Sequence, residues 1–535
     1  MTSTLRWGEA TLRFDDEGDL VSLVHDQWGP YLAGWRIRTG RSEQSVPLVL
    51  ADEDEVEVSR DLGPLTVTVR HSVGGGWDQR TVAAAGTDLP YAFGRPRLLL
   101  DPAPGCVGRV WAAGSRAIWA VAPAGEGPLL VAVQRQGCTA DTDELALGPD
   151  AAWEAGERRI WRWQARWCAD WRDAGALLPT WWPERTALRE GLPLVVTAPD
   201  RAVDDDSGAW TVAEEEAGTE ILPAGGRHRG SIRLNGAGGT TLLDATWAPG
   251  WDAVAVIWAR LACRPDPAAG RPAAGRAVAA GPGLLPGPAA TALVLAVLSG
   301  PGLEPPDAPA GITPAESVPA LELVERSMGA VLDGPADPTQ VLCCLGLHTA
   351  TGDATWLSEA AERMSRQGPA PLGAAIGVNL LTALVAAGRD PAPTARALAE
   401  AGARALSGDP AVPADVRLEY AVAAGANRWG EPIREVTRRA AALLGGGLPG
   451  RAIPDPGPEL LARTVMMLGM VGDRIAADLA HSWWSPPDVV GEQAERRLLA
   501  DLVDLAGDAD GGRATAQDAE RAARILLPLG LVRNR

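Results

Sequence analysis

The hydrophobic residues of this chain change period once, near residue 300, from about two to about 3.6. A period of two marks strands with one buried face, and a period of 3.6 marks helices with one apolar stripe. One layer cannot satisfy both, so the chain must divide into a sheet-built part and a helix-built part. The length of 535 residues leaves room for both.

In the first part, short strands are broken by Gly, Pro and Asp. Leu12-Arg13-Phe14 and Leu20 to Val24 flank Asp15-Asp16-Glu17-Gly18-Asp19, the pattern of a hairpin. Leu65 to His71 alternates apolar and polar residues strictly. Ala117–Val121, Leu129–Val133, Ile160–Gln164, Leu194–Val196, Ser231–Leu234 and Val254–Trp258 continue the series, and Leu293–Leu298 reads as a last strand. Strands at this spacing predict antiparallel sandwiches. The expected first domain is a large antiparallel β-sandwich over 1–300, with a smaller β lobe from about 186. Residues 301–313, rich in Pro and Gly, read as a linker.

From 314 to 535 the expectation is an array of α-helical hairpins, a short α/α toroid or a solenoid. Leu321, Val324, Met328 and Val331 fall on one helix face. Helices are expected to start near 314, 337, 353, 370, 391, 411, 430, 457, 473, 488 and 514. Gly352, Gly388, Gly425 and Gly472 recur at helix junctions in steps of 36, 37 and 47 residues, a spacing that suits stacked hairpins.

Composition narrows the chemistry. All 49 basic residues are Arg. Without lysine there is no Walker P-loop, no Schiff-base lysine and no lysine-anchored cofactor. A net charge of -19 argues against a nucleic acid or an anionic membrane as partner. The six cysteines form no Cys-x-x-Cys and the five histidines form no spaced pair, so neither a metal nor a cofactor is expected. The N-terminus lacks the pattern of a secretory leader, and no apolar run approaches the ~20 residues of a membrane helix. The expectation is a soluble, cytoplasmic protein acting on a small molecule or oligosaccharide, with its oligomeric state left open. Trp is abundant (21) where Tyr (3) and Phe (2) are scarce. A GC-rich genome explains that skew, with Trp filling core positions. The sharper reading is that some Trp form stacking platforms for sugar rings.

The run Leu345-Gly346-Leu347-His348-Thr349-Ala350-Thr351-Gly352-Asp353 to Trp356 and Ala361 is similar to helix–turn–helix junctions of six-hairpin carbohydrate enzymes. Phe14 to Leu20 resembles the first hairpin of a supersandwich. Together with the order of sheets before hairpins, the chain resembles glycoside hydrolases with an N-terminal β-supersandwich of the galactose-mutarotase-like fold and a C-terminal six-hairpin toroid. The resemblance implies a carbohydrate substrate. It transfers no catalytic motif residue by residue, so candidates come from the residues themselves.

Glycoside hydrolysis needs two carboxylates across the scissile bond. Asp415 and Glu419 share one predicted helix face, with Tyr420, Asn427, Arg428 and Trp429 close behind. The alternative is a solvated face paired with Arg417 or Arg428. His481, Trp483, Trp484 and Asp488 form a second candidate, with Asp488 a possible acid, unless the paired indoles are a hydrophobic plug. Trp181 and Trp182 end the densest aromatic run, which begins at Trp161 and Trp163 with arginines interleaved. The first expectation is a glycoside hydrolase-like enzyme using acid and base carboxylates. The others are a non-catalytic binding or scaffold protein, and a sugar lyase or epimerase-like enzyme with His481 and Tyr420 as base and acid.

Overall fold

The fold is taken from a computed structural model. It describes residues 3–38, 47–61, 65–86, 97–139, 153–197, 201–204, 208–216, 218–225, 228–236, 239–263, 284–299, 314–424, 431–471, 481–510 and 515–533. The architecture is a set of large antiparallel sheets followed by an array of α-helices.

A five-stranded sheet, running from Ser3–Trp7 to Arg97–Pro102, packs on a nine-stranded one. The expected first hairpin is present: Ala10–Phe14 pairs antiparallel with Leu20–His25. Asp15 makes the turn, its Oδ1 accepting from the N–H groups of Glu17 and Asp19. The alternation read at Leu65–His71 appears as the strand Leu65–Val73, whose residues are alternately buried. Leu12, Phe14, Trp35, Trp77, Trp119 and Trp163 lie in the core between the two sheets. Trp35 meets Trp77, Trp119 and Trp163 edge-on at 4.9, 5.3 and 6.2 Å. The first half of the densest tryptophan run, Trp161, Trp163 and Trp167, thus belongs to the sandwich core, and its interleaved Arg162 pairs with Asp78 at 2.7 Å.

Beyond residue 186 two further small sheets follow. One has Gly239–Ala248 and Arg229–Gly236 at its centre, and the other has Gly218–Pro223. Two expected strands are not strands. Val254–Trp258 lies in the helix Trp251–Cys263, and Leu293–Leu298 lies in the helix Pro288–Ser299. Both are short apolar runs buried on nearly every side, so they show no polar face by which a helix could be distinguished from a buried strand. Helices therefore begin before the expected boundary at 300. These two pack into the same core as the later helices, with Trp258, Leu293, Val324, Leu347, Ile376 and Leu526. The expected linker at 301–313 lies outside the described residues.

Observed helices start at Pro314, Pro338, Thr355, Gly373, Ala392, Ala414, Glu431, Pro458, Pro487 and Ala516. The start expected near 473 lies outside the described residues. Gly352 closes its helix in the left-handed conformation, φ 70°, with its N–H on His348 O.

The helical part also feeds the sandwich. Its short strand Arg451–Ile453 pairs antiparallel with Val107–Ala113 and forms the last strand of the nine-stranded sheet. The Gly-rich turn before it makes this possible. A Cβ on Gly446 would fall 2.4 Å from Trp171, and one on Gly450 1.9 Å from Val110 O, and both glycines have positive φ. Only glycine can occupy such positions without displacing backbone.

Candidate functional site

Asp415 and Glu419 do share a face of the helix Ala414–Ala424, but among the described residues their partner is not Arg417. It is Arg463, from the helix Pro458–Val471. Its Nη1 lies 2.6 Å from Asp415 Oδ2, and its Nε donates to Glu419 Oε1 at 2.5 Å. The other Glu419 oxygen accepts the Leu372 N–H at 2.8 Å. Leu372 holds a left-handed backbone, φ 64°, at the start of the helix Gly373–Ala386, so Glu419 secures that turn. Glu419 is only 2% exposed. Burial pushes its carboxyl above the usual range, although Arg463 and the Leu372 N–H oppose the shift. Tyr420 is buried among Ala374, Ala401, Ala405 and Val416. Among the described residues this is a bracket tying helices together, with both carboxylates turned to Arg463. Asn427, Arg428 and Trp429 lie outside the described residues.

The loop 481–486 is a plug. Trp483 is 5% exposed, and Trp484 packs on Gly175, where a Cβ would fall 1.9 Å from the indole. The N–H groups of Trp484 and Ser485 donate to Gly446 O, and Ser482 O accepts from Arg172 N. His481 and Asp488 are exposed, and Asp488 lies in the first turn of the helix Pro487–Asp510. His481 and Tyr420, proposed as a base–acid pair, are thus an exposed loop residue and a buried core residue. Trp182 differs from the other indoles. It packs edge-on against Trp111 at 4.6 Å and lines a cavity.

That cavity, of about 500 Å³, lies where the large sandwich, the small lobe and the helices meet. Trp111 and Trp182 line it from one side. Arg229 and Asp244 come from the lobe, Arg451 from the inserted strand, and Arg497 and Asp501 from the helix Pro487–Asp510. A second cavity of about 220 Å³ adjoins it, sharing Gly450, Arg451, Arg497 and Asp501 and adding Arg109 and Gln493.

Polar contacts dock the lobe on this helix. Gln493 bridges the Thr186 N–H and Glu184 O, both at 3.0 Å. Arg497 donates to Thr186 Oγ1 at 3.1 Å. Arg229 forms ion pairs with Asp501 and, at 2.7 Å, with Asp504. Deeper in, Arg109 donates to Pro449 O and Leu443 O, both at 3.4 Å. Burial, helped by the charge of Arg497, pulls the Arg109 guanidinium below its usual pKa. Burial also lowers Arg497, against the opposing pull of Asp244 and Asp501.

Of this site the sequence pointed to Trp182 but to none of the charged groups. Arg109, Arg229, Arg451 and Arg497 lie on four elements separated by long stretches of chain, and no spacing rule brings them together. The one local signal was the run Gly445-Gly446-Gly447-Leu448-Pro449-Gly450, because such a density of glycine marks close backbone approach.

No protein-family model and no curated sequence matches the chain. Among solved structures, a polysaccharide lyase is similar with a TM-score of 0.60 and 11% identity, covering 92% of this chain and 92% of that one. A TPR-domain containing protein from Parabacteroides distasonis aligns with 97% of this chain and 85% of its own at 11% identity, but its TM-score is 0.17. The first likeness extends over sheets and helices together and is a likeness of fold.

Proposed function

We propose that the protein is carbohydrate-active and that its glycan binds in the junction cavity. The observation that carries this reading is the lining: an indole pair, Trp111 with Trp182, together with arginines and the carboxylates Asp244 and Asp501. Indole surface meets the apolar faces of sugar rings, and carboxylates and guanidinium groups take their hydroxyls in paired hydrogen bonds. The fold shared with a polysaccharide lyase supports the same substrate class.

Asp244 and Asp501 are the carboxylates that line this cavity. In hydrolysis, one would protonate the leaving oxygen while the other activates water. The second reading is elimination, in which a carboxylate removes a proton from the carbon beside an acidic group and an arginine neutralises that group, while the glycosidic C–O bond on the next carbon breaks, a carbon–carbon double bond forms and the leaving oxygen takes up a proton. The three arginines of the cavity, Arg229, Arg451 and Arg497, favour it. Incubation with a panel of neutral and acidic polysaccharides tests both. Reducing ends without new ultraviolet absorbance indicate hydrolysis, and reducing ends with the absorbance of an unsaturated sugar indicate elimination. Binding without product leaves a glycan-binding protein. No binding and no product from any glycan would overturn the proposal.

A further inference from the structure

The inner cavity contains a combination that the outer one does not need. Arg109 is buried, 7% exposed, and Arg497 is close enough for its charge to weaken the Arg109 cation. Two like charges in a low-dielectric site repel each other and are retained only where something offsets the cost. The protein offers little. Among the described residues, neither guanidinium has a carboxylate within 4 Å, and neither has an interaction beyond those given above. The contacts of Arg109 are two long bonds to carbonyls, and that of Arg497 is one bond to the Thr186 hydroxyl. Each guanidinium carries five N–H donors, so most make no contact with the described residues of the protein.

Asp501 pairs with Arg229, and Asp455, on the cavity wall, accepts the Gly457 N–H at 2.9 Å. Asp244 and Asp501 both draw on the charge of Arg497, but neither forms an ion pair with it. The whole chain carries -19, so a general positive field does not explain the pair. Planar guanidinium groups match a carboxylate or sulfate bidentately, and two of them facing one small space match one such group.

We propose that the inner cavity is an anion subsite in which Arg109 and Arg497 together hold one small oxyanion, the acidic substituent of the bound glycan. This rests on the reading of the outer cavity as the glycan site, and it makes the substrate acidic. The substituent enters past Arg451 and Arg497, which line both cavities.

Calorimetric titration of the full chain with inorganic sulfate, a uronic acid, an acidic oligosaccharide and a neutral one of equal length tests it. The variants are Arg109→Gln and Arg497→Gln, each checked for folding by thermal unfolding. Sulfate and the uronic acid are expected to bind and compete with the acidic oligosaccharide. Each variant should lose about tenfold or more in affinity for all three acidic ligands, as for a charged hydrogen bond. Arg109→Gln without ligand should melt no lower than the parent, because it removes a repelled charge. Equal binding of neutral and acidic oligosaccharides, unchanged in both variants, would overturn the anion subsite and leave the glycan reading standing. Sulfate binding with no sugar binding would uphold the subsite and overturn the glycan reading. No binding of any ligand would overturn both. If both variants fail to fold, wild-type competition between sulfate and the acidic oligosaccharide decides, and its absence overturns the proposal.

Discussion

His71 sits in the sandwich core with its ring stacked near Trp77, whose indole N–H donates to His71 Nδ1 at 3.2 Å. Burial holds the imidazole neutral and pulls its pKa down to about 3 from the ordinary 6.5. The unfolded chain takes up a proton as pH falls below about 6.5, while the folded chain resists until about 3. Stability is therefore full above pH 6.5 and is lost progressively between 6.5 and 3. Urea midpoints across that window should fall, and His71→Phe should flatten the decline; an unchanged slope would contradict the neutral core histidine. Arg463 makes a second residue-scale test. It neutralises Asp415 and Glu419 from a position 8% exposed. Arg463→Ala should cost about 3–5 kcal/mol in chemical denaturation, as for a broken buried pair. Loss of glycan cleavage without loss of stability would instead return these carboxylates to catalysis.

The inserted strand Arg451–Ile453 and the turn before it decide where the site can form. Gly450→Ala drives a methyl group into Val110 O, so it should cost roughly 1–3 kcal/mol or more and open the sheet edge beside Arg109. Amide hydrogen exchange along Val107–Ala113 is the check, and protection equal to the parent would contradict the pairing. At the other end of the array, Asp337 caps the helix Pro338–Thr351 and pairs with Arg524 at 2.8 Å. Burial alone would raise its carboxyl, but the Thr339 hydrogen bonds and Arg524 outweigh burial and hold it below the usual range. Asp337→Ala should cost about 1–2 kcal/mol near neutral pH, with the loss shrinking as acid protonates the parent carboxyl. Period and turn chemistry made most elements legible: helix starts were read within three residues of those observed at 314, 338, 355, 373, 392, 414 and 431. Uniformly apolar runs were not legible, because Val254–Trp258 and Leu293–Leu298 show no contrast between faces. The paired carboxylates were legible as a helix face, but their arginine was not, since Arg463 comes from another helix.

At the scale of the molecule, three large cores among the described residues divide the work, beside the small cluster around Tyr420. One lies between the large sheets and one among the helices, while the third contains Trp111, Trp182, Trp247, Leu444, Leu448 and Trp483. Those six come from the sandwich, the lobe and the helical part. Sheets and helices should therefore unfold in one transition, with tryptophan fluorescence and the far-ultraviolet helix signal coincident in urea. Two separated transitions would mean that the shared core contributes little. The same junction that couples the parts holds the cavity, and the account stands on that cavity being where a glycan binds. The most direct measurement is the affinity of an acidic oligosaccharide for the parent and for Trp182→Ala, with both proteins shown to be folded. Binding to the parent should be saturable and should fall at least about tenfold when the indole is removed. Equal affinity in the two proteins would place the glycan elsewhere and contradict the account.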